Sequence, residues 1–104
     1  MNTLEEKKAE NIVLLDLTGI ASFTDFFIIC SGTSDRMLDA LAQAALETAR
    51  KEFQIHAQAR GLASSGWITA DLGDIVLHLF SPDQREYYQL EQLWQEGKVL
   101  IRLQ

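Results

Sequence analysis

Basic residues are scarce in this sequence of 104 residues. Nine Lys and Arg stand against fifteen Asp and Glu, which gives a formal net charge of −6. Binding to nucleic-acid phosphates needs a surplus of basic side chains, so we expect little direct contact with nucleic acid. An acidic domain can still meet a basic protein, because complementary charge speeds their encounter.

Cysteine is rarer still, with Cys30 alone, and this excludes an intrachain disulfide. Cys30 lies in the apolar run 26–30, where we expect a buried and inert thiol. Two histidines, His56 in a predicted loop and His78 on a predicted strand, add no spacing that is typical of zinc ligands. His78 alternates with apolar residues, which favours a half-buried structural role over a catalytic one. We therefore predict no metal site and no cofactor.

Long apolar runs are absent as well. No segment has the roughly 20 apolar residues that cross a bilayer, and the charged residues 1–10 do not resemble a signal peptide. We therefore expect a cytoplasmic location and no membrane partner. Hydrophobic residues nevertheless make up 47% of the chain, enough for one compact core, so residues 1–104 are predicted to form a single domain.

The first half of the chain predicts a helix, two strands and a longer helix. Thr3 and Glu6 have the spacing of a capping box, which predicts a helix over residues 4–11. Apolar runs at 12–17 and 26–30 predict strands, and their short connection implies antiparallel pairing if they are neighbours. From residue 36 the apolar period becomes helical. The predicted buried stripe is Leu38, Leu41, Ala42, Ala45, Ala49 and Phe53.

The second half begins with a predicted loop over residues 55–66, which is rich in small and polar side chains. Residues 67–72 and 75–80 then predict two strands. The turn between them falls at Gly73 and Asp74, which is typical of a hairpin.

A further helix follows these strands. Ser81 can cap it, Pro82 suits its first position, and Gly97 can end it. We therefore predict a helix from Pro82 to about residue 95. Residues 99–103 are either a short edge strand or an extended tail. The order of elements predicts a small mixed α/β sheet of about four strands flanked by helices. The predicted apolar stripe of the last helix is Tyr87, Leu90, Leu93 and Trp94.

Evidence for an enzyme is weak in this sequence. Gly32, Thr33 and Ser34 precede a helix, but without a phosphate-loop lysine they indicate helix capping by Thr33 or Ser34 rather than nucleotide binding. Asp71 and Asp74 are three residues apart across a turn, whereas paired magnesium ligands commonly alternate on one strand. We predict no catalytic residue, and a nucleotide-binding or nucleotidyltransferase-like enzyme stays open as an alternative.

Aromatic residues are concentrated towards the C-terminus, where they indicate a protein interface. Tyr87 and Tyr88 are adjacent on a predicted helix and point about 100° apart, so at least one of them is predicted to be exposed. Exposed aromatic rings beside an arginine, here Arg85, are typical anchors of protein interfaces. Trp94 and Tyr87 are assigned to the core instead, because a small domain needs its aromatic side chains there.

Residues 67–80 and 85–94 carry the pattern W-x-x-x-D-x-G-D-x-V-x-H-x-F followed by R-E-Y-Y-x-L-E-x-L-W. In this pattern the chain resembles the ribosomal silencing factor family, the Iojap-like proteins, and the resemblance spans residues 9–94. The resemblance implies a nucleotidyltransferase-like fold that has lost its catalytic carboxylates. It also implies a factor that binds the large ribosomal subunit through ribosomal protein fourteen, blocks subunit joining and represses translation when nutrients are short.

The same resemblance implies a partner-binding surface, and a homodimer away from the ribosome stays open as an alternative. On this interpretation Tyr88→Ala or Arg85→Glu should abolish subunit binding and leave the fold intact. The tail over residues 98–104 receives no role. The residues carried over to the partner surface are Trp67, Asp71, Asp74, His78, Arg85, Tyr87, Tyr88 and Glu91.

Overall fold

The centre of the fold is a mixed β-sheet, seen here in a computed structural model that describes residues 2–94 and 96–103, with the backbone alone for Asn2. Within these residues the sheet has six strands. They are β1 (Glu10–Asp16), β2 (Phe26–Ser31), β3 (Ala59–Leu62), β4 (Trp67–Asp71), β5 (Ile75–Phe80) and β6 (Lys98–Leu103). The helices are α1 (Asn2–Glu6), α2 (Asp35–Phe53), α3 (Pro82–Tyr88) and α4 (Leu90–Leu93), and a 3₁₀ turn covers Ala63–Ser65.

The strands lie in the order β3-β4-β5-β2-β1-β6. β1 and β2 pair antiparallel, as predicted, and the hairpin of β4 and β5 is also confirmed. β2 and β5 are parallel neighbours, joined by the long connection that contains α2. The fold is therefore the predicted mixed α/β sheet with helices against it.

The prediction of about four strands was wrong, because the sheet has two additional edge strands. β3 lies inside the predicted loop 55–66 and pairs with β4. Its sequence Ala-Arg-Gly-Leu has no apolar alternation, so only the backbone pairing with β4 defines it as a strand. β6 pairs with β1 and is the edge strand that the sequence left open as one alternative for residues 99–103.

The long helix α2 begins where the sequence indicated. The Ser34 hydroxyl caps it by accepting a hydrogen bond from Met37 N at 3.1 Å. Gln54 then ends it with φ at 56°. Most of the predicted stripe is buried or half-buried, but the assignment of Phe53 to it was wrong. Phe53 is 67% exposed because it is the last residue of the helix.

The first helix is shorter than the predicted span 4–11. α1 ends at Glu6, Lys8 has φ at 65°, and β1 already begins at Glu10. Instead of a capping box, the Thr3 hydroxyl forms a 2.8 Å hydrogen bond with the Thr48 hydroxyl on α2. This side-chain contact therefore joins α1 to α2.

The predicted C-terminal helix is divided in two. Ser81 caps α3 as expected, accepting from Gln84 N at 3.3 Å, but Gln89 has φ at 50° and ends it. Because the break interrupts the 3.6-residue period, the predicted stripe does not run through α3 and α4. Tyr87 and Leu93 were wrongly assigned to the stripe and are exposed, while Leu90 is buried and Trp94 half-buried. Residues 95 and 104 lie outside the described part.

The two faces of the sheet are covered unequally. α1 and α2 pack on one face, over a core that includes Ile12, Ile28, Cys30, Leu38, Leu41, Leu77 and Leu79. The other face has its own core of Val13, Leu15, Leu17, Phe27, Ile29, Phe80 and Leu90. Among the described residues, only the short helices α3 and α4 and the segment 17–25 lie over it, so large side chains there stay partly exposed. Across the described ranges, none of the helices is both long and apolar enough to span a bilayer.

Candidate functional site

A row of aromatic rings crosses the less covered face of the sheet. We call this surface the aromatic face and define it by Phe23, Phe27, Trp67, His78, Tyr88 and Trp94. Neighbouring ring centroids lie 4.4 to 6.0 Å apart, from Tyr88 through Trp67, His78, Phe27 and Trp94 to Phe23. Strand alternation places Trp67 and His78 on the same face. Tyr88 on α3 forms one end of the row, and Phe23 in the loop between β1 and β2 forms the other.

The centre of the aromatic face is a hydrogen bond between two strands. Trp67 on β4 donates its indole N–H to Nδ1 of His78 on β5, at 3.2 Å. Indole nitrogen can only donate, so Nδ1 accepts and the neutral ring carries its proton on Nε2. Burial lowers the pKa of His78 to about 4, which keeps this ring neutral at pH 7. The prediction of a structural histidine agrees with its position, with only 7% of its surface exposed.

One end of the aromatic face is open to solvent. Tyr87 is 77% and Tyr88 43% exposed, so the prediction that at least one is exposed is confirmed, and both are. Tyr88 packs on Trp67 with ring centroids 4.5 Å apart, and Tyr87 contacts Tyr88 edge to face at 5.1 Å. Phe23 at the other end is also exposed. Aromatic side chains left in solvent in this way are typical of surfaces that bind another protein.

Arg85 and Glu91, two predicted partner residues, are engaged inside the chain. The Arg85 side chain is only 11% exposed and donates to Glu91 Oε1 at 3.1 Å. It also donates to Ser31 Oγ at 3.1 Å and to the carbonyl of Asn11. These contacts hold α3 and α4 against the ends of β1 and β2. The expectation that Arg85→Glu leaves the fold intact therefore conflicts with these contacts.

Asp71 and Asp74 lie at the far end of the β4–β5 hairpin from Tyr88. Asp71 lies four positions after Trp67 along β4, a distance of about 13 Å. Asp71 Oδ1 accepts from Gly73 N at 3.0 Å, which shapes the turn. Both carboxylates are exposed, and Asp74 borders a cleft on the α2 side of the sheet. The structure thus separates Asp74 from the aromatic face.

The backbone of Asp74 has a separate structural role. Its carbonyl accepts from the Thr24 hydroxyl at 2.8 Å and from the backbone N–H groups of Asp25 and Phe26 at 3.0 Å. These bonds fix the end of segment 17–25, which carries Phe23. Among the described residues, no group of three or more His, Cys, Asp and Glu side chains is placed to hold a metal ion.

Sequence reasoning did not predict three members of the aromatic face as part of the site. Phe27 is buried under the row, Trp94 was assigned to the core and is half-buried, and Phe23 was not considered. Two signals were available. Phe27 follows Phe26 in an alternating strand, so one of them has to face away from α2, and Phe23 lies in a segment without strand or helix character, where a large ring is easily exposed.

Sequence comparison relates this chain to known proteins. A sequence profile described as "Ribosomal silencing factor during starvation" matches residues 1–103. This chain belongs to the ribosomal silencing factor family. A ribosomal silencing factor from Halalkalibacterium halodurans is 38% identical over 100 residues, which cover 96% of this chain and 86% of that protein.

Similarity extends to a solved structure and to an organellar protein. A crystal structure from Chromobacterium violaceum superposes with a TM-score of 0.83 at 33% identity, covering 90% of this chain and 78% of that one. A Mus musculus protein named "Mitochondrial assembly of ribosomal large subunit protein 1" is 30% identical over 97 residues, which are 90% of this chain and 42% of that protein.

Proposed function

We propose that this silencing factor binds the large ribosomal subunit through ribosomal protein fourteen, blocks joining of the small subunit and so represses translation when nutrients are short. Membership of the ribosomal silencing factor family supports the repression. The name of the mouse relative supports the large subunit as the site of action. In this proposal residues 1–104 act as one cytoplasmic domain by occupying a surface, without catalysis.

The observation that carries the proposal is the exposed end of the aromatic face. Tyr87 and Tyr88 present large exposed rings with polar hydroxyls, a combination that anchors protein interfaces, and half-buried Trp67 packs against Tyr88. Asp71 adds an exposed carboxylate farther along the same face. With a net charge of −6, the chain suits a basic ribosomal protein and would be repelled by exposed rRNA phosphates.

Within this proposal the eight predicted partner residues have two kinds of role. Trp67, Tyr87, Tyr88 and Asp71 contact the partner directly. In the free protein the other four hold the surface in place: His78 accepts from the Trp67 indole, Asp74 anchors segment 17–25, and Arg85 joins α3 to Glu91 on α4.

A catalytic alternative can be tested against the same geometry. In the proposed likeness to nucleotidyltransferases, this chain is a degenerate member, because Asp71 and Asp74 are not paired to bind magnesium. Asp71 is bonded to the turn, and the Ser34 hydroxyl caps α2. We expect isothermal titration with a nucleoside triphosphate and magnesium to give no saturable heat. Saturable binding would instead favour the enzyme.

The central experiment is co-sedimentation with isolated ribosomal subunits, followed by a subunit-joining assay. We expect binding to large subunits alone and fewer joined ribosomes. Tyr87→Ala should weaken binding at least about tenfold, because truncating an interface anchor commonly costs that much. Phe53→Ala is the matched control, since Phe53 is also an exposed aromatic but borders the cleft on the α2 side. Equal effects of the two substitutions would contradict the placement of the site, and no binding by the parent would contradict the function.

Self-association away from the ribosome is the second part of the proposal. The edge strand β6 has the exposed apolar side chains Val99, Leu100 and Ile101 and pairs on one side only, with β1. Such an edge is a template for a strand of a second copy. Sedimentation equilibrium should show a dimer that Leu100→Lys weakens. A monomer throughout the accessible concentration range would reject the dimer.

A further inference from the structure

The distal nitrogen of His78 has no hydrogen-bond partner among the described residues, although the atom is buried. Because Nδ1 accepts from Trp67, Nε2 carries the proton and has to be a donor. A buried donor without an acceptor is destabilising, and native structures seldom leave one unpaired. This unpaired N–H therefore needs an explanation.

The direction of the ring shows where an acceptor would come from. In an imidazole, Nδ1 is bonded to the carbon that carries the side-chain stem, while Nε2 lies at the distal edge. Strand side chains stand roughly perpendicular to the sheet, so Nε2 is farther from β5 than Nδ1. The side chain belongs to the aromatic face, between Trp67 on one side and Phe27 on the other. The unpaired N–H therefore lies under the surface proposed to bind the partner.

The neighbours of His78 do not replace an acceptor. Phe27 approaches edge to face with ring centroids 4.4 Å apart, and a contact of an N–H with an aromatic ring is weaker than a hydrogen bond to oxygen. On the other side Trp67 is a donor, and Thr69, the neighbour across the strand pair, makes no hydrogen bond with Nε2. Within the described chain, burial alone accounts for the lowered pKa of His78, without a charged neighbour.

We infer that the protein partner on the aromatic face supplies a neutral oxygen acceptor, a backbone carbonyl, to His78 Nε2, an inference that rests on the proposed function. A carboxylate is disfavoured because the chain is acidic and Asp71 lies on the same face. A carbonyl also suits a partner whose side chains are mainly basic. The buried atom becomes accessible when a neighbouring side chain changes rotamer, which is common when proteins bind. His78 then selects the position of the partner backbone.

Two substitutions distinguish the role of Nδ1 as an acceptor from the role of Nε2 as a donor. In His78→Asn the amide oxygen can replace Nδ1 as the acceptor for Trp67, but the distal donor is lost. In His78→Gln the longer side chain brings an amide N–H close to the position of Nε2. Both changes remove the ring, so they share the loss of packing against Phe27. His78→Asn keeps an acceptor for the Trp67 indole and His78→Gln does not, so weaker binding by His78→Asn reports on the distal donor.

The test measures affinity for isolated large ribosomal subunits, with urea unfolding to confirm that each variant is folded. We expect His78→Asn to bind about tenfold more weakly than the parent, as loss of one hydrogen bond in a buried interface predicts. His78→Gln should stay within about threefold of the parent. Imidazole ¹⁵N and ¹H NMR should show the Nε2 proton in the free protein and a downfield shift when ribosomal protein fourteen binds.

Each outcome distinguishes the inference from the function on which it rests. The inference would be overturned if His78→Asn bound as tightly as the parent, or if both variants lost the same affinity for large subunits. In either case, binding by the parent would still support the function. An Nε2 proton that does not shift on binding would overturn it as well. Failure of the parent to bind large subunits would overturn both.

Discussion

Arg85 Nε donates to Glu91 Oε1 at 3.1 Å across the break that separates α3 from α4. Neither helix has the length that would make it stable alone in water, since isolated helices need roughly 12 to 15 residues. The same guanidinium also binds Ser31 and the carbonyl of Asn11, at the ends of β2 and β1. The pair therefore fixes α3, which carries Tyr87 and Tyr88, against α4.

Substitution of Arg85 should consequently destabilise the whole fold. Arg85→Met keeps much of the aliphatic stem but removes every donor, and we expect a loss of about 2 kcal/mol in the free energy of unfolding. Urea denaturation measures it. Lys51→Met is the control, because Lys51 pairs with Glu47 on the surface of α2, where both side chains are more than half exposed, and its loss should be much smaller. Similar losses of stability for both variants would show that the contacts of Arg85 contribute no more than an exposed ion pair.

Gln89 predicts a substitution that stabilises the protein. Its φ of 50° and ψ of 52° lie in the left-handed region, which glycine adopts without the steric cost of a Cβ. We expect Gln89→Gly to raise the free energy of unfolding by roughly 0.5 kcal/mol, the relief of strain being offset in part by a more flexible unfolded chain. Gln89→Val should lower it. A thermal melt that ranks Val above Gly would contradict the left-handed conformation.

Local chemistry in the sequence predicted much of the fold. The capping residues Ser34 and Ser81 and the paired apolar runs of β1, β2, β4 and β5 act within a few neighbouring residues, and their elements are confirmed. β3 was missed because it depends on pairing with β4. The division of the last helix was missed because glutamine seldom adopts a positive φ, so Gln89 gave no signal.

The candidate site was less predictable, because its members are distinguished by tertiary contacts. Sequence could indicate that a tyrosine of α3 is exposed, since adjacent helical positions diverge. It could not show that Arg85 is bonded to Ser31 or that Phe23 lies beside Trp94, because these contacts join residues more than 50 positions apart. Some residues of the motif therefore form the exposed surface, and others form the contacts that support it.

Cys30 should be unreactive in the folded chain. It is buried on the α2 side of β2, and burial raises the pKa of its thiol to about 12. Because the thiolate is the reactive form, labelling by a disulfide reagent should be more than roughly 100-fold slower than in urea and should follow global unfolding. Rapid labelling of one thiol per chain without denaturant would refute this, and Cys30→Ala provides the blank.

His78 predicts how stability depends on pH. Burial lowers its pKa from 6.5 to about 4 in the folded protein, so the unfolded chain takes up this proton first as the pH falls. Stability from this group is therefore complete above pH 6.5, decreases between pH 6.5 and 4, and changes no further below that range. Since a shift of one pKa unit corresponds to about 1.4 kcal/mol, the loss in the free energy of unfolding should approach 3 kcal/mol.

Urea denaturation at several pH values, on the parent and on His78→Asn, isolates this effect. Asparagine does not titrate, and it can keep an acceptor for the Trp67 indole, so the difference between the two curves removes the contribution of the carboxylates. We expect the parent to lose stability more steeply than the variant between pH 6.5 and 4. Parallel curves would mean that His78 titrates alike in both states, and hence that the aromatic face does not exclude water from it.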